Sequence, residues 1–165
     1  MSRRIPFVMI LVVLLAASTA ASLDLNLALG ANFNGDFDLG DISFSSDTGY
    51  TLGLEVAIDI PVIELGAGLE YGFSREASEV ELKASYYLLY AIGRFYFGPA
   101  YIAARFGYND ISVSSVLEGD FGGGGSWAVG GGVELFQKLK FELLFNRLGG
   151  DLSYESWNLR ALYTF

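Results

Sequence analysis

The sequence predicts an all-β fold, an eight-stranded antiparallel up-and-down transmembrane β-barrel. Three observations lead there. Apolar and polar residues alternate with period two along successive segments. The connections between those segments are by turns short and long. Aromatic residues gather at the segment ends, with aliphatic residues between them.

The first element is not part of the barrel. Arg3 and Arg4 form a basic start, and Ile5 to Ala17 is an apolar run followed by Ser18-Thr19-Ala20-Ala21. A basic start, a short apolar stretch and small residues at its end are the pattern of a cleaved secretory signal, here residues 1–21. The run is shorter than the ~20 residues a helix needs to cross a bilayer, which opposes a membrane anchor. The barrel is then expected over 22–165.

The strands follow in order. Leu23, Leu25, Leu27, Leu29, Ala31 and Phe33 share one face, and Asp24, Asn26, Ala28, Gly30 and Asn32 the other. Tyr50 to Ile60 repeats the pattern, with Thr51, Gly53, Glu55, Ala57 and Asp59 on the polar face. In the next segment Ile63, Leu65, Ala67, Leu69, Tyr71 and Phe73 alternate with Glu64, Gly66, Gly68, Glu70 and Gly72. Segments near 84–97, 100–109 and 139–147 continue the series. Trp127 to Leu135 and Trp157 to Phe165 complete a set of eight, each near the ~10 residues a tilted strand needs to span a hydrocarbon core. Pro61-Val62, Gly98-Pro99 and Phe136-Gln137-Lys138 are the short connections; 34–47, 74–83, 110–125 and 148–153 are the long polar ones. Short turns at one end and long loops at the other is the layout of a transmembrane barrel.

A water-soluble barrel with an apolar inside is the competing arrangement. Against it, the polar face is mostly Gly, Ala, Ser, Asn and Thr, which suits a narrow lumen better than a solvated surface. Phe33, Tyr50, Phe73, Tyr108 and Trp127 fall near the long loops, and Phe95, Phe97, Tyr163 and Phe165 near the short turns, as two interfacial belts require. Hairpin register agrees with this facing. A turn at Pro61-Val62 sets Ile60 against Ile63 outside and Asp59 against Glu64 inside, and a turn at 136–138 sets Glu134 against Lys140 inside. Gly98-Pro99 sets Phe95 against Ile102 outside, which puts Arg94 and Arg105 in the lumen together with Tyr86, Leu88, Tyr90 and Ile92. The opposite phase would turn Arg94 toward lipid at ~2–4 kcal/mol.

Composition excludes several functions. The chain has 165 residues, enough for one domain, with 52% hydrophobic and 18% charged residues, which is too apolar for disorder. Its 21 Gly against 3 Pro do not suit a helical bundle. There is no Cys and no His, so disulfides, thiolate chemistry, His-based acid–base pairs and most zinc sites are ruled out. A formal charge of −9 argues against nucleic acid as a partner. Asp36-x-Asp38-x-x-Asp41 lacks the Glu of a calcium loop and is expected to be a solvated acidic loop. Gly122-Gly123-Gly124-Gly125 lacks the Lys-Ser/Thr of a phosphate cradle and is expected to be a flexible loop end.

With its N-terminal signal, its alternation and the closing Arg160-Ala161-Leu162-Tyr163-Thr164-Phe165, the chain resembles the small eight-stranded outer-membrane barrels of the OmpA/OmpX type. The stretch from Gly93 to Ile102 also resembles a strand–turn–strand of that superfamily. The resemblance implies a monomer in the outer membrane of a two-membraned bacterium, surrounded by lipid. It further implies that Leu159, Tyr163 and Phe165 are the signal read by the barrel assembly machinery, after delivery by periplasmic chaperones. The resemblance is expected to cover the barrel alone, without the C-terminal peptidoglycan-binding domain of full-length OmpA. Enzymes of similar architecture use a catalytic His, which this chain lacks, and no cofactor is implied.

The expected lumen charges are Asp24, Glu55, Asp59, Glu64, Glu70, Arg94, Arg105, Glu134, Lys140, Glu142 and Arg160. A charge there must be paired or held by trapped water. The expectation is a satisfied polar plug, since side chains nearly fill an eight-stranded interior. The function expected is a non-enzymatic structural or surface-interaction role through the long loops. The alternative is a narrow gated ion or small-solute channel, with cation preference from the excess of lumen acids.

Overall fold

Alternation of the kind read above has one outlet in space: strands that turn their small and polar residues to a shared interior. The computed structural model describes residues 23–39, 42–77, 82–114, 119–136 and 138–165. The expected signal lies outside the described residues. The strands are β1 (Leu23–Leu39), β2 (Ile42–Ser46), β3 (Gly49–Ile60), β4 (Ile63–Ala77), β5 (Leu82–Phe97), β6 (Ala100–Ser114), β7 (Gly119–Leu135), β8 (Leu139–Gly150) and β9 (Ser153–Thr164). All pair antiparallel with their neighbours, and β1 pairs with β9, so the sheet closes on itself. The short β2 pairs with the upper part of β1 and pairs with β4 at Ser46 and Ala77, so eight strands form the wall.

The register read from the hairpins is the register observed. Ile60 faces Ile63, Asp59 faces Glu64, Phe95 faces Ile102 and Glu134 faces Lys140. Following paired residues from Leu23 leads through Ile58, Leu65, Gly93, Ala104, Val129, Phe145 and Trp157 back to β1 at Phe33. That climb along β1, combined with eight strands, gives a strand tilt of roughly 40°.

The long connections differ from expectation. Most of 34–47, 74–83, 110–125 and 148–153 is strand, and the last connection shrinks to Asp151-Leu152. Asp36 and Asp38 lie on β1 in its hairpin with β2, while Asp41 lies outside the described residues. The glycine run 122–125 lies within β7 and is not a loop end. The physical reason is an inversion of facing. On β6, Ile102, Phe106 and Tyr108 point outward, but further up the same strand Ile111 and Val113 point inward while Asp110 and Ser112 face out. On β1 a bulge after Phe33, with Asn34 at φ 49°, produces the same exchange and buries Phe37. Outward polar residues made these extensions read as loops.

Inside the barrel, aromatic rings occupy space that glycines leave. Tyr86 lies across from Gly72, Tyr90 from Gly68 and Tyr101 from Gly132, each pair in direct register. A Cβ on Gly68 would fall 2.6 Å from the Tyr90 ring, whereas one on the outward Gly93 meets nothing nearer than 3.6 Å. Gly68→Ala should therefore lower barrel stability by about 1–3 kcal/mol, the range for overpacking, while Gly93→Ala should be neutral or slightly stabilising. Urea midpoints of the refolded variants in micelles test this; equal effects would mean that the tyrosine is not seated over Gly68.

Candidate functional site

Among the described residues eight charged side chains are buried in the lumen: Glu55, Glu64, Glu70 and Glu142 against Arg94, Arg105, Lys140 and Arg160. Their formal charges cancel. Each projects inward because it occupies the inward parity of its strand, so its partners come from other strands.

Arg94 on β5 is the most connected. Its Nη1 donates to Glu55 Oε1 at 2.6 Å and also to Glu64, while its Nε donates to Glu142 Oε1 at 2.5 Å. Those carboxylates come from β3, β4 and β8. Arg160 on β9 donates from Nη1 to Glu142 Oε2 at 3.0 Å and lies 3.6 Å from both Glu55 Oε2 and Glu70 Oε2. Arg105 on β6 donates to Glu70 Oε2 and to Asn146 Oδ1, both at 2.8 Å, with its guanidinium 4.7 Å above the Tyr90 ring. The Lys140 ammonium reaches Glu64 across the lumen rather than its register partner Glu134. The planar Arg94 and Arg160 guanidiniums each serve several carboxylates, so every charge of the lattice has an opposite charge beside it, although the buried Arg160 Nε has no hydrogen-bond acceptor.

Tyrosines and asparagines complete it. The Tyr90 hydroxyl donates to Glu55 at 3.1 Å and accepts from Arg160 at 2.8 Å. Tyr101 donates to Glu142, Tyr96 to Glu64 and Tyr86 to Glu70. At the seam, Thr164 donates to Asn26 at 2.6 Å and Asn158 donates to Asn32 at 2.5 Å, each joining residues in direct register between β1 and β9. The sequence reading did not single out these tyrosines and asparagines as partners, although inward parity marks them.

The remaining expected lumen charges stand apart. Asp24 and Glu134 are half-buried and Asp59 is exposed, all at the short-turn mouth where water reaches them. The excess of acids over bases is thus a property of that mouth and not of the interior. Leu159, Tyr163 and Phe165 line up on the outward face of the last strand. The Phe165 N–H donates to the Leu25 carbonyl at 3.0 Å and extends the seam to the end of the chain.

The fold and lumen together define a small closed barrel with an apolar exterior. Known proteins share that fold. The structure is similar to Neisserial surface protein A (TM-score 0.61, 14% identity, covering 88% of this chain and 99% of that one). It is also similar to Ail, the attachment invasion locus protein of Yersinia pestis, in complex with the heparin analogue sucrose octasulfate (TM-score 0.57, 12% identity, 88% and 99%). A third similar structure is the outer membrane enzyme PagL (TM-score 0.53, 15% identity, 85% and 98%). No family model and no curated protein matches the sequence.

Removing one member of the lattice strands its partners. Arg94→Met leaves three buried carboxylates short of a cation and should cost about 3–5 kcal/mol. Asp59→Asn, at the wet mouth, should change stability by less than about 0.5 kcal/mol. Unfolding midpoints in micelles measure both. A similar cost for the two would show that burial does not separate lattice from mouth.

Proposed function

We propose that this chain is an outer-membrane β-barrel of a two-membraned bacterium, non-enzymatic, with a filled lumen and a structural or surface-interaction role. The observation that carries the proposal is the inside-out arrangement: charges face inward and cancel, while Leu, Ile, Val and aromatic side chains cover the outside. An apolar exterior of that kind is stable in lipid and costly in water. Phe95, Phe97, Tyr163 and Phe165 at one end, and Tyr50, Phe73, Tyr108 and Trp127 at the other, fit the two interfaces of a bilayer.

The signal over 1–21 supports export, and the outward Leu159, Tyr163 and Phe165 support recognition by the barrel assembly machinery after chaperone delivery. A monomer surrounded by lipid suits the closed wall. The gated-channel alternative drew on an acid excess; with Asp24, Asp59 and Glu134 at the mouth and a balanced interior, that support falls away. The absence of His and Cys from the sequence supports a non-enzymatic role, in contrast to PagL, which is described as an enzyme.

The end with the strand extensions would face the cell exterior. Among the described residues Asp36, Asp47, Asp110 and Asp151 are exposed there, as are Lys83 and Arg147, the last 3.1 Å from Glu155. Ail is described with a heparin analogue, a polyanion. The acidic rim here favours a neutral or cationic surface partner instead.

Purified mature protein should need detergent to stay in solution, and should migrate as a compact species on a gel until boiled, because closure leaves no free edge. Wild-type protein in planar bilayers should give no conductance above lipid background. Deleting Phe165 should reduce insertion in cells severalfold while micelle refolding stays within about twofold. A mature chain that is monomeric and soluble in plain buffer would overturn the membrane proposal.

A further inference from the structure

Above the ion-pair lattice the lumen changes character. Phe37, Tyr86, Ile111, Val113, Leu148 and Tyr154 point inward from β1, β5, β6, β8 and β9, and all are buried. The Phe37 and Tyr154 rings meet at 4.5 Å between centroids. Ile111 lies beyond Arg105 on β6, Leu148 beyond Glu142 on β8, and Tyr154 on the same side of Arg160 on β9. Six residues of strand separate each pair in the sequence, which at this tilt is roughly 15 Å of height. Tyr86 marks the floor of this layer, its hydroxyl donating to Glu70 below and accepting from Asn32. Among the residues whose side chains are described, the buried charged ones all lie below this layer, and the apolar cluster continues downward on one side through Leu88 and Leu144.

An ion moving along the lumen therefore meets two obstacles of different kinds. The lattice blocks it with fixed side chains whose charges are already satisfied. Among the described residues the upper layer is lined mainly by apolar side chains, with Asn109 and the Tyr86 and Tyr154 hydroxyls as its polar groups, so an ion there would have to shed most of its hydration. We propose that this apolar septum is a second, independent barrier in series with the ion-pair lattice, so that opening the lattice alone leaves the barrel closed. Series resistances add, and conduction requires that both barriers be removed. The inference rests on the membrane-barrel proposal above.

The test compares four refolded full-length mature proteins in planar bilayers with potassium chloride. They are wild type, Glu142→Ala with Arg160→Ala, Phe37→Ser with Ile111→Ser, and the combination of all four substitutions. The first pair removes one acid and one base together, so the remaining lattice stays balanced. Both double variants should match wild-type background, and the combination should conduct at least tenfold more. Conduction by either double variant at the level of the combination would overturn the proposal, as would a folded combination that stays silent.

Because the combination is the variant most exposed to misfolding, a milder readout runs beside it. The sequence has no cysteine, so Ile111→Cys, or Ala128→Cys on β7 in direct register with Arg105 and Asn146, can be placed singly in the Glu142→Ala, Arg160→Ala background. A small water-soluble thiol reagent applied from the short-turn side should label the Ala128→Cys protein at least tenfold faster than the Ile111→Cys protein. Equal rates would mean that the septum is wet and would sink the inference. A protein that folds without detergent would instead defeat the membrane proposal on which the experiment stands.

Discussion

Arg94 on β5 and Arg160 on β9 stand on opposite sides of the eight-stranded wall and share Glu142 and Glu55 between them. The rest of the structure depends on that shared pairing. A lumen this narrow holds no bulk water, so a carboxylate or guanidinium inside it must be neutralised by side chains from other strands. A slip of one residue in any strand that contributes to the lattice would carry its charge to the apolar exterior and strand the partners left behind. Buried ion pairs add little net stability, since an apolar replacement of similar volume is often as good. Their effect here is on register: the closed barrel with the observed pairing is the arrangement in which all eight buried charges are matched.

Matching charges across a barrel also requires space, and the glycines supply it. Gly68 leaves room for the Tyr90 ring, Tyr90 presents its hydroxyl to Glu55 and Arg160, and Arg105 lies over the ring face. The Tyr101 ring sits across Gly132 in the same way while its hydroxyl reaches Glu142. A missing Cβ on one strand thus determines where a ring on the next can lie, and the ring determines which carboxylate oxygen is held. Packing and electrostatics inside this wall are one problem, with the small residues of the polar face as part of its solution.

Much of this was legible in the sequence. Period-two alternation identified the eight wall strands, and the short turns fixed their register, because a two-residue connection leaves little freedom in which residues face each other. Arg94 could be placed inward from its pairing alone, since the opposite phase turns a guanidinium toward the apolar side. The partners of each charge were not legible. Lys140 reaches Glu64 from β8 to β4, a choice made by distance across the lumen and invisible to neighbour-strand pairing. The upper extensions were missed for a different reason. Ile111 and Val113 carry the apolar face of β6 on the opposite parity from Phe106 and Tyr108, so a rule that seeks one apolar face per strand sees the signal vanish and assigns a loop.

That parity change carries information of its own. A strand keeps its apolar residues outward only where its surroundings are apolar; where they become aqueous, the same residues must turn to the interior. On β5 the outward face is Phe97, Phe95, Gly93, Ala91, Leu89 and Tyr87 in succession, and then becomes Ser85 and Lys83. From Phe97 to Tyr87 the strand climbs roughly 25 Å at a tilt of about 40°, which is the height of the apolar band on an outer-membrane barrel. On β8 the outward change comes between Phe145 and Arg147, and on β9 between Trp157 and Glu155, with Arg147 and Glu155 paired at 3.1 Å. An ion pair flanked by tryptophan is what an interface accommodates and a hydrocarbon interior does not. The wall therefore encloses two stacked cores of opposite design, polar inside apolar below and apolar inside polar above. The boundary between them falls at one height on strands that reach it independently, as a common external surface requires.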